Sequence, residues 1–240
     1  MTLRRGFAII IMLLAVIAAA NFTQGPVMGT PAKTLAPGDL RRLETRAGRG
    51  RFAARNKTIV QLSFKAGLRA CEIAGLEWHM VLTCDRRIAN AIHVADAIAK
   101  NGRGRRVPMH PNLRAALAKL HVSGGRPDRG AVIRSQKGGH MTPRSVVHWF
   151  KSIYSDLKLS GCSSHSGRRT FITHAARMVG KVGGSLKDVQ ELAGHRALTT
   201  TERYIEGDRD AQRKLVRLLW SPRNASAGSR LCFAQPATNQ

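Results

Sequence analysis

The stretch "SSHSGRRTF", residues 163–171, precedes and opens a segment whose pattern predicts a helix over residues 166–179. His165 and Arg168 are spaced as His-x-x-Arg, and residues three apart lie on the same side of a helical turn. The spacing therefore predicts a histidine and an arginine that face one site. It also has an ordinary explanation, because His165 can simply cap its helix. Residues elsewhere in the chain distinguish a functional site from a helix cap.

The surrounding sequence predicts an α+β fold that is mainly α: a helical domain with a small three-stranded antiparallel sheet. Apolar residues at helical spacing and start and stop signals mark the helices. β-branched and apolar runs between charged or glycine-rich turns mark the strands. Helices are predicted at 39–47, 52–66, 68–75, 143–157, 166–179, 185–193, 199–206 and 208–219, and strands at 78–83, 88–95 and 105–109.

The amino-terminal segment differs in composition from the rest of the chain. Arg4 and Arg5 precede an apolar run over residues 7–20, which is typical of a secretory signal. The run is shorter than the roughly 18 apolar residues that favour a membrane span. A signal, a membrane-associated helix and the remnant of a shortened gene are all open interpretations. A Gly-, Pro- and Thr-rich linker follows at 23–39.

The charge balance favours a polyanionic partner. Forty Lys and Arg oppose fourteen Asp and Glu, a formal net charge of +26, and the surplus is spread along the whole chain. Nucleic acid is the first candidate partner for such a surface. The four cysteines form no C-x-x-C pair, so zinc and thioredoxin-type chemistry find no support. Buried or inert thiols in a reducing compartment are expected.

Two tyrosines with different surroundings provide a candidate nucleophile. Tyr154 lies on the apolar face of the helix predicted at 143–157, so it is expected in the core. Tyr204 lies in "GHRALTTTERYIEGDRD", residues 194–210, among charged side chains. A hydroxyl in a cationic site is a candidate nucleophile, because nearby cations favour the phenolate.

Three further segments carry charged residues that can serve such a nucleophile. "GLRACEIAGLEW", residues 67–78, places Arg69 at a helix start with Glu72 three residues later. "AKNGRGRRVPM", residues 99–109, carries Lys100 in a turn, and "LAGH" ends on His195. Each has an ordinary explanation alone, since Arg69 can simply pair with Glu72 and Lys100 can be one more turn lysine.

Taken in order, these residues resemble the catalytic domain of the tyrosine recombinases, the phage integrase family. That family has Arg, Lys, His-x-x-Arg, His or Trp, and Tyr in sequence. The candidate catalytic residues are Arg69, Lys100, His165, Arg168, His195 and Tyr204. The resemblance places a catalytic domain at 37–220, preceded by the signal-like segment and linker at 1–36 and followed by a flexible tail at 221–240.

The resemblance implies a site-specific DNA recombinase or integrase that needs no metal, ATP or other cofactor. The tyrosine would attack a DNA phosphate and form a 3′-phosphotyrosine link. Both arginines would hold the non-bridging oxygens, and the lysine would protonate the departing 5′ oxygen. The first histidine would transfer a proton or orient a neighbour, and the second would donate a hydrogen bond to the phosphate.

The implied partners are double-stranded DNA and further copies of the chain, assembled as a tetrameric synapse in the cytoplasm. No membrane partner is expected despite residues 7–20. No core-binding domain of the kind that family members have is expected in residues 1–36, and a weaker and less site-specific grip on DNA is therefore expected. The alternatives are a truncated, catalytically impaired remnant that only binds DNA, and an exported or membrane-associated basic protein.

Overall fold

The computed structural model describes residues 32–100 and 102–204, together with residues 213, 216 and 217. The signal-like segment, most of the helix predicted at 208–219 and the tail lie outside these residues, and the domain limits at 36 and 220 stay predictions. Within the described residues, no helix is long and apolar enough to cross a membrane. The chain divides into two units, one ending at Ile172 and the other beginning at Thr173.

The described residues are mainly helical, with one small antiparallel sheet, which confirms the predicted fold class. The helices are α1 Pro37–Ala47, α2 Ala53–Lys65, α3 Ala70–Gly75, α4 Pro111–Ser123, α5 Pro143–Asp156, α6 Ser166–Met178, α7 Leu186–Ala193 and α8 Leu198–Glu202. The strands are β1 Ala91–Val94 and β2 Arg105–Pro108, and short 3₁₀ turns form at Trp78–Met80 and Val179–Val182.

The sheet has two strands, so the prediction of three was wrong. β1 and β2 pair with Ile92 opposite Val107 and Val94 opposite Arg105. The expected strand at 78–83 instead begins with the 3₁₀ turn, and its last part makes only an isolated bridge between Leu82 and Ile88. Met80 and Val81 are both buried, whereas a pleated strand would place consecutive side chains on opposite faces.

The core of the first unit is built around α2. Every residue from Thr58 to Phe64 is buried, so this helix is covered on all sides rather than along one stripe. It packs against α1 and α4 and contacts α3. Tyr154 of α5 is buried at 2% exposure, which confirms its expected place in the core.

Side-chain hydrogen bonds cap several of the helix starts. Thr142 Oγ1 accepts from the N–H of Ser145 ahead of Pro143, and the N–H of Ser185 donates to Asp188. The helix predicted to begin at Thr199 has no side-chain cap. α8 begins one residue earlier, with Ala197 in the capping position, so Thr199 lies inside the first turn.

The cysteines that the structure describes are unpaired thiols, but they are not uniformly buried. Cys71 and Cys162 are half-buried, and Cys84 is exposed in the segment between the 3₁₀ turn and β1. The expectation was buried or inert thiols; Cys84 is not buried, and its inertness stays a prediction.

Candidate active site

Arg69 is held at the start of α3 by its own helix. The backbone N–H of Arg69 donates to Glu72 Oε2 at 2.9 Å, and its Nη1 donates to Glu72 Oε1 at 3.0 Å. The preceding Gly67 has a φ of 63°, in the left-handed region that glycine adopts without strain. The N–H of Leu68 donates to the Leu62 carbonyl at 3.1 Å, which ties this loop to the end of α2. The Arg69 side chain is thus fixed while 15% of it remains exposed.

Arg168 is anchored to the same loop. It is buried at 4% exposure, and its Nη1 donates to the carbonyl oxygen of Gly67 at 2.7 Å. The neighbouring Gly167 lets α6 approach α2 closely, since an added Cβ would overlap Ser63 Oγ and lie 2.9 Å from the Phe64 ring. The His-x-x-Arg segment is therefore tied through Arg168 to Gly67, which precedes Arg69 by two residues in the chain.

His165 lies at the first turn of α6 and is surrounded by positive charge. Its carbonyl accepts from the N–H of Arg169 at 2.9 Å, which closes that turn. Although the residue as a whole is exposed, neighbouring protein atoms partly desolvate its ring. This desolvation, followed by the positive charges of Arg168, Lys100 and Arg69, lowers the pKa of His165 below its ordinary value. The imidazole is therefore neutral at pH 7 and available to accept a proton.

Lys100 lies in the connection between β1 and β2, and its charge acts on His165. It is exposed, in a turn that follows the buried Ala99. The N–H of Gly104 donates to Asp96 Oδ1 at 2.5 Å and closes the loop behind it. The structure thus brings Arg69, Lys100, His165 and Arg168 into one electrostatic environment in the first unit.

His195 and Tyr204 contact each other in the second unit. Gly194 ends α7 with a φ of 63°, and the buried His195 follows it directly. The His195 Nδ1 and Thr201 Oγ1 are 2.9 Å apart, which orients the ring. The ring stacks on that of Tyr204, with 5.5 Å between centroids and 23° between planes. The Tyr204 N–H donates to the Thr201 carbonyl at 3.0 Å, and its carbonyl accepts from Thr173 Oγ1 at 3.4 Å.

Glu72 binds a second arginine that the sequence analysis did not single out. Arg105 donates through Nη1 to Oε1 at 2.8 Å and through Nη2 to Oε2 at 3.0 Å. Burial alone would raise the pKa of Glu72, but hydrogen bonding and charge from Arg105, and then from Arg69, lower it below its ordinary value. The carboxylate is therefore charged and fully buried. Alternation along β2 could have flagged Arg105, since it shares a face with the buried Val107.

The arrangement is suited to an anion. The positive charges of three side chains act on His165, and two of these side chains are guanidiniums, whose planar donors match phosphate oxygens. In the part of the chain that the structure describes, no group of three or more His, Cys, Asp or Glu residues could hold a metal ion.

Comparison with known families identifies the chain. The sequence profile described as "Phage integrase family" matches residues 33–210. The chain belongs to the phage integrase family.

Curated relatives agree with this assignment. The tyrosine recombinase XerC of Myxococcus xanthus is 30% identical over 161 residues, covering 63% of this chain and 50% of the relative. The XerC of Methylobacterium sp. (strain 4-46) is 32% identical over 176 residues, covering 69% of this chain and 50% of the relative. The chain therefore spans about half the length of the curated relatives that it matches.

Solved structures share the fold. The integrase of the Tn1549 transposon, in complex with a circular intermediate DNA, superposes with a TM-score of 0.63 at 17% identity, covering 81% of this chain and 68% of that chain. The XerA recombinase gives a TM-score of 0.59 at 19% identity, covering 82% of this chain and 67% of that chain. At this level of identity the likeness concerns the fold alone.

Proposed function

We propose that the protein is a site-specific DNA recombinase or integrase that breaks and rejoins strands through Tyr204. The observation that carries the proposal is that Arg69 and Arg168 are both fixed on the 67–72 segment, and that their charges, with that of Lys100, act on His165. Three cations around a proton acceptor fit a phosphodiester that is about to be attacked. Family membership and the XerC relatives support the same reaction class.

The two arginines hold the scissile phosphate. Each guanidinium is pre-positioned by protein contacts, Arg69 by Glu72 and Arg168 by the Gly67 carbonyl. Donors fixed in advance stabilise charge that develops on the non-bridging oxygens without reorganising during the reaction. His195 adds a hydrogen bond to the same phosphate.

The chemical step exchanges one phosphoester for another. The Tyr204 oxygen attacks phosphorus while the bond between phosphorus and the 5′ oxygen breaks, leaving a 3′-phosphotyrosine link. The phenolic proton passes to the neutral His165, and Lys100 gives a proton to the departing 5′ oxygen. Attack by the 5′ hydroxyl of another strand reverses both transfers. One phosphoester bond is broken for each one formed, so the step needs no ATP.

The partners follow from the charge and the relatives. A net charge of +26 suits double-stranded DNA, and the Tn1549 integrase was solved with DNA. A related lambda integrase was solved as a dimer on a core site. We assign this chain to an oligomer on DNA, a tetramer in the complete synapse, acting in the cytoplasm.

The test is trapping of a covalent adduct on a nicked suicide substrate that loses the strand carrying the 5′ hydroxyl. Wild-type protein forms a DNA-linked species that survives denaturing electrophoresis, and Tyr204→Phe forms none. Tyr154→Phe is the matched control, because this buried hydroxyl has no hydrogen-bond partner among the described residues. It forms the adduct at the wild-type level. A wild-type protein that forms no adduct would overturn the proposal.

The same experiment separates the alternative, a remnant that only binds DNA. Such a remnant would bind duplex DNA with a steep salt dependence, because each neutralised phosphate releases counterion, yet form no adduct. The intact four-residue cluster favours the enzyme over the remnant.

A further inference from the structure

A buried carboxylate joins two guanidiniums from distant parts of the first unit. Glu72 has a fully buried side chain, and it binds Arg69 of its own helix and Arg105 of β2, 33 residues away in sequence. The Arg105 side chain is 7% exposed, so it is turned inward although it is charged. An inward arginine on a four-residue strand is costly unless a specific partner compensates for the lost hydration.

The two contacts with Glu72 are unequal. Arg105 is bidentate, with one nitrogen on each carboxylate oxygen at 2.8 and 3.0 Å. The described contact of the Arg69 guanidinium is through Nη1 alone, at 3.0 Å from Oε1. Bidentate pairing fixes both oxygens in one plane, which a single contact does not. The backbone N–H of Arg69 also donates to Oε2 at 2.9 Å, so the carboxylate is held from both sides. Among the described guanidiniums, Arg105 is the one that pairs with both oxygens, and the Arg69 guanidinium shares Oε1 with it.

We infer that Arg105 is a positioning residue of the strand-exchange reaction, acting through Glu72 to hold the Arg69 guanidinium in its phosphate-binding orientation. The inference rests on the proposed function. Without Arg105, Oε2 of the buried carboxylate keeps the Arg69 backbone N–H, and the Arg69 guanidinium on Oε1 becomes its one described cationic partner. The Arg69 guanidinium then turns toward Glu72 and away from the phosphate.

Arg105 is also the first residue of β2, at the end of the connection between β1 and β2 that contains Lys100. It pairs with Val94 across the sheet, and Lys100 lies between these two residues in the chain. A loss of activity could thus arise through Lys100 instead of Arg69, and the experiment must separate the two routes. The separation is chemical: Arg69 neutralises charge on the non-bridging oxygens, whereas Lys100 protonates the bridging oxygen.

The experiment measures single-turnover cleavage of a nicked suicide duplex at saturating DNA with Arg105→Ala and Arg106→Ala. Arg106 is the matched control, because it is the next residue of the same strand, is exposed and carries the same charge. The probe is a pair of substrates, one with an ordinary scissile phosphate and one with an uncharged methylphosphonate there. At metal sites, loss of a contact that orients a ligand typically costs about 10- to 100-fold in affinity or activity, and a loss of the same order is expected here.

On the phosphate substrate, Arg105→Ala is expected to cleave about 10- to 100-fold more slowly than wild type, while Arg106→Ala keeps the wild-type rate. On the methylphosphonate, Arg105→Ala and Arg106→Ala are expected to cleave at similar rates, because no negative charge needs Arg69. A defect of equal size on both substrates would overturn the inference, as would an Arg105→Ala rate on phosphate equal to that of Arg106→Ala. A merely misfolded fraction gives the equal defect.

A charge-retaining variant covers the case in which Arg105→Ala does not fold. Arg105→Lys keeps the cation at this position but donates from a single point rather than a planar fork. Arg105→Lys is expected to cleave the phosphate substrate more slowly than Arg106→Lys does. On the methylphosphonate substrate, the two variants are expected to cleave at the same rate. Equal rates of the two variants on the phosphate substrate would contradict the inference. Absence of any adduct from wild type overturns the proposed function itself, whereas adduct formation with the pattern reversed overturns only the role of Arg105.

Discussion

Replacing Arg168 by lysine separates the two tasks that the structure gives this residue. Arg168 is buried at 4% exposure and donates from Nη1 to the Gly67 carbonyl at 2.7 Å. Lysine keeps the charge, so non-specific attraction to DNA is retained. It lacks the planar fork that can bind a carbonyl and a phosphate oxygen together.

Each task has its own expected magnitude. Leaving a buried carbonyl without its donor costs about 1–3 kcal/mol in the free energy of unfolding. Removing one pre-positioned donor from a developing oxyanion costs about 10²- to 10³-fold in rate. The first figure is read from chemical denaturation and the second from single-turnover adduct formation at saturating DNA.

Arg177→Lys is the control, because Arg177 lies in the same helix α6 and is exposed. Its unfolding free energy is expected to stay within about 0.5 kcal/mol of wild type, with the wild-type rate of adduct formation. An Arg168→Lys protein that forms adduct at the wild-type rate would refute the reasoning, even if its stability falls. A rate loss without a stability loss would refute the anchoring role of the Gly67 contact.

Two further predictions concern packing and protonation. Gly167→Ala is expected to lower the free energy of unfolding by about 1–3 kcal/mol, because the added methyl overlaps Ser63 and approaches the Phe64 ring; an unchanged denaturation midpoint would contradict this close approach. The pH profile of adduct formation is expected to lose rate only below the ordinary histidine pKa of 6.5, because partial burial and three cations lower the pKa of His165 and keep it a neutral base to lower pH. A midpoint above that value would contradict the assignment.

The sequence predicted those parts of the fold that depend on local pattern. The apolar residues of α2 predicted that helix, and the apolar face of α5 predicted the buried position of Tyr154. The strand expected at 78–83 was wrong because Trp78 packs against His121, with 4.7 Å between ring centroids, and its N–H donates to the Gly130 carbonyl. Both contacts join residues far apart in the chain, so no local pattern reports them.

The candidate site likewise has a part that the sequence predicted and a part that it could not predict. Residue order alone pointed to Arg69, Lys100 and the His-x-x-Arg pair, and in the structure the charges of Arg69, Lys100 and Arg168 act on His165. The Arg105 contact with Glu72 spans 33 residues, and the anchoring of Arg168 on Gly67 spans 101. Such contacts arise only once helices and sheet have packed, so spacing in the sequence could not give them.

The measurement that tests the central claim most directly is identification of the amino acid that carries the DNA. After trapping on the suicide substrate, the protein is digested with protease and the DNA with nuclease, and the nucleotide-linked peptide is sequenced by mass spectrometry. The account predicts a single 3′-phosphotyrosine, at Tyr204. A nucleotide attached to Tyr154, to a serine or to any other residue would contradict it.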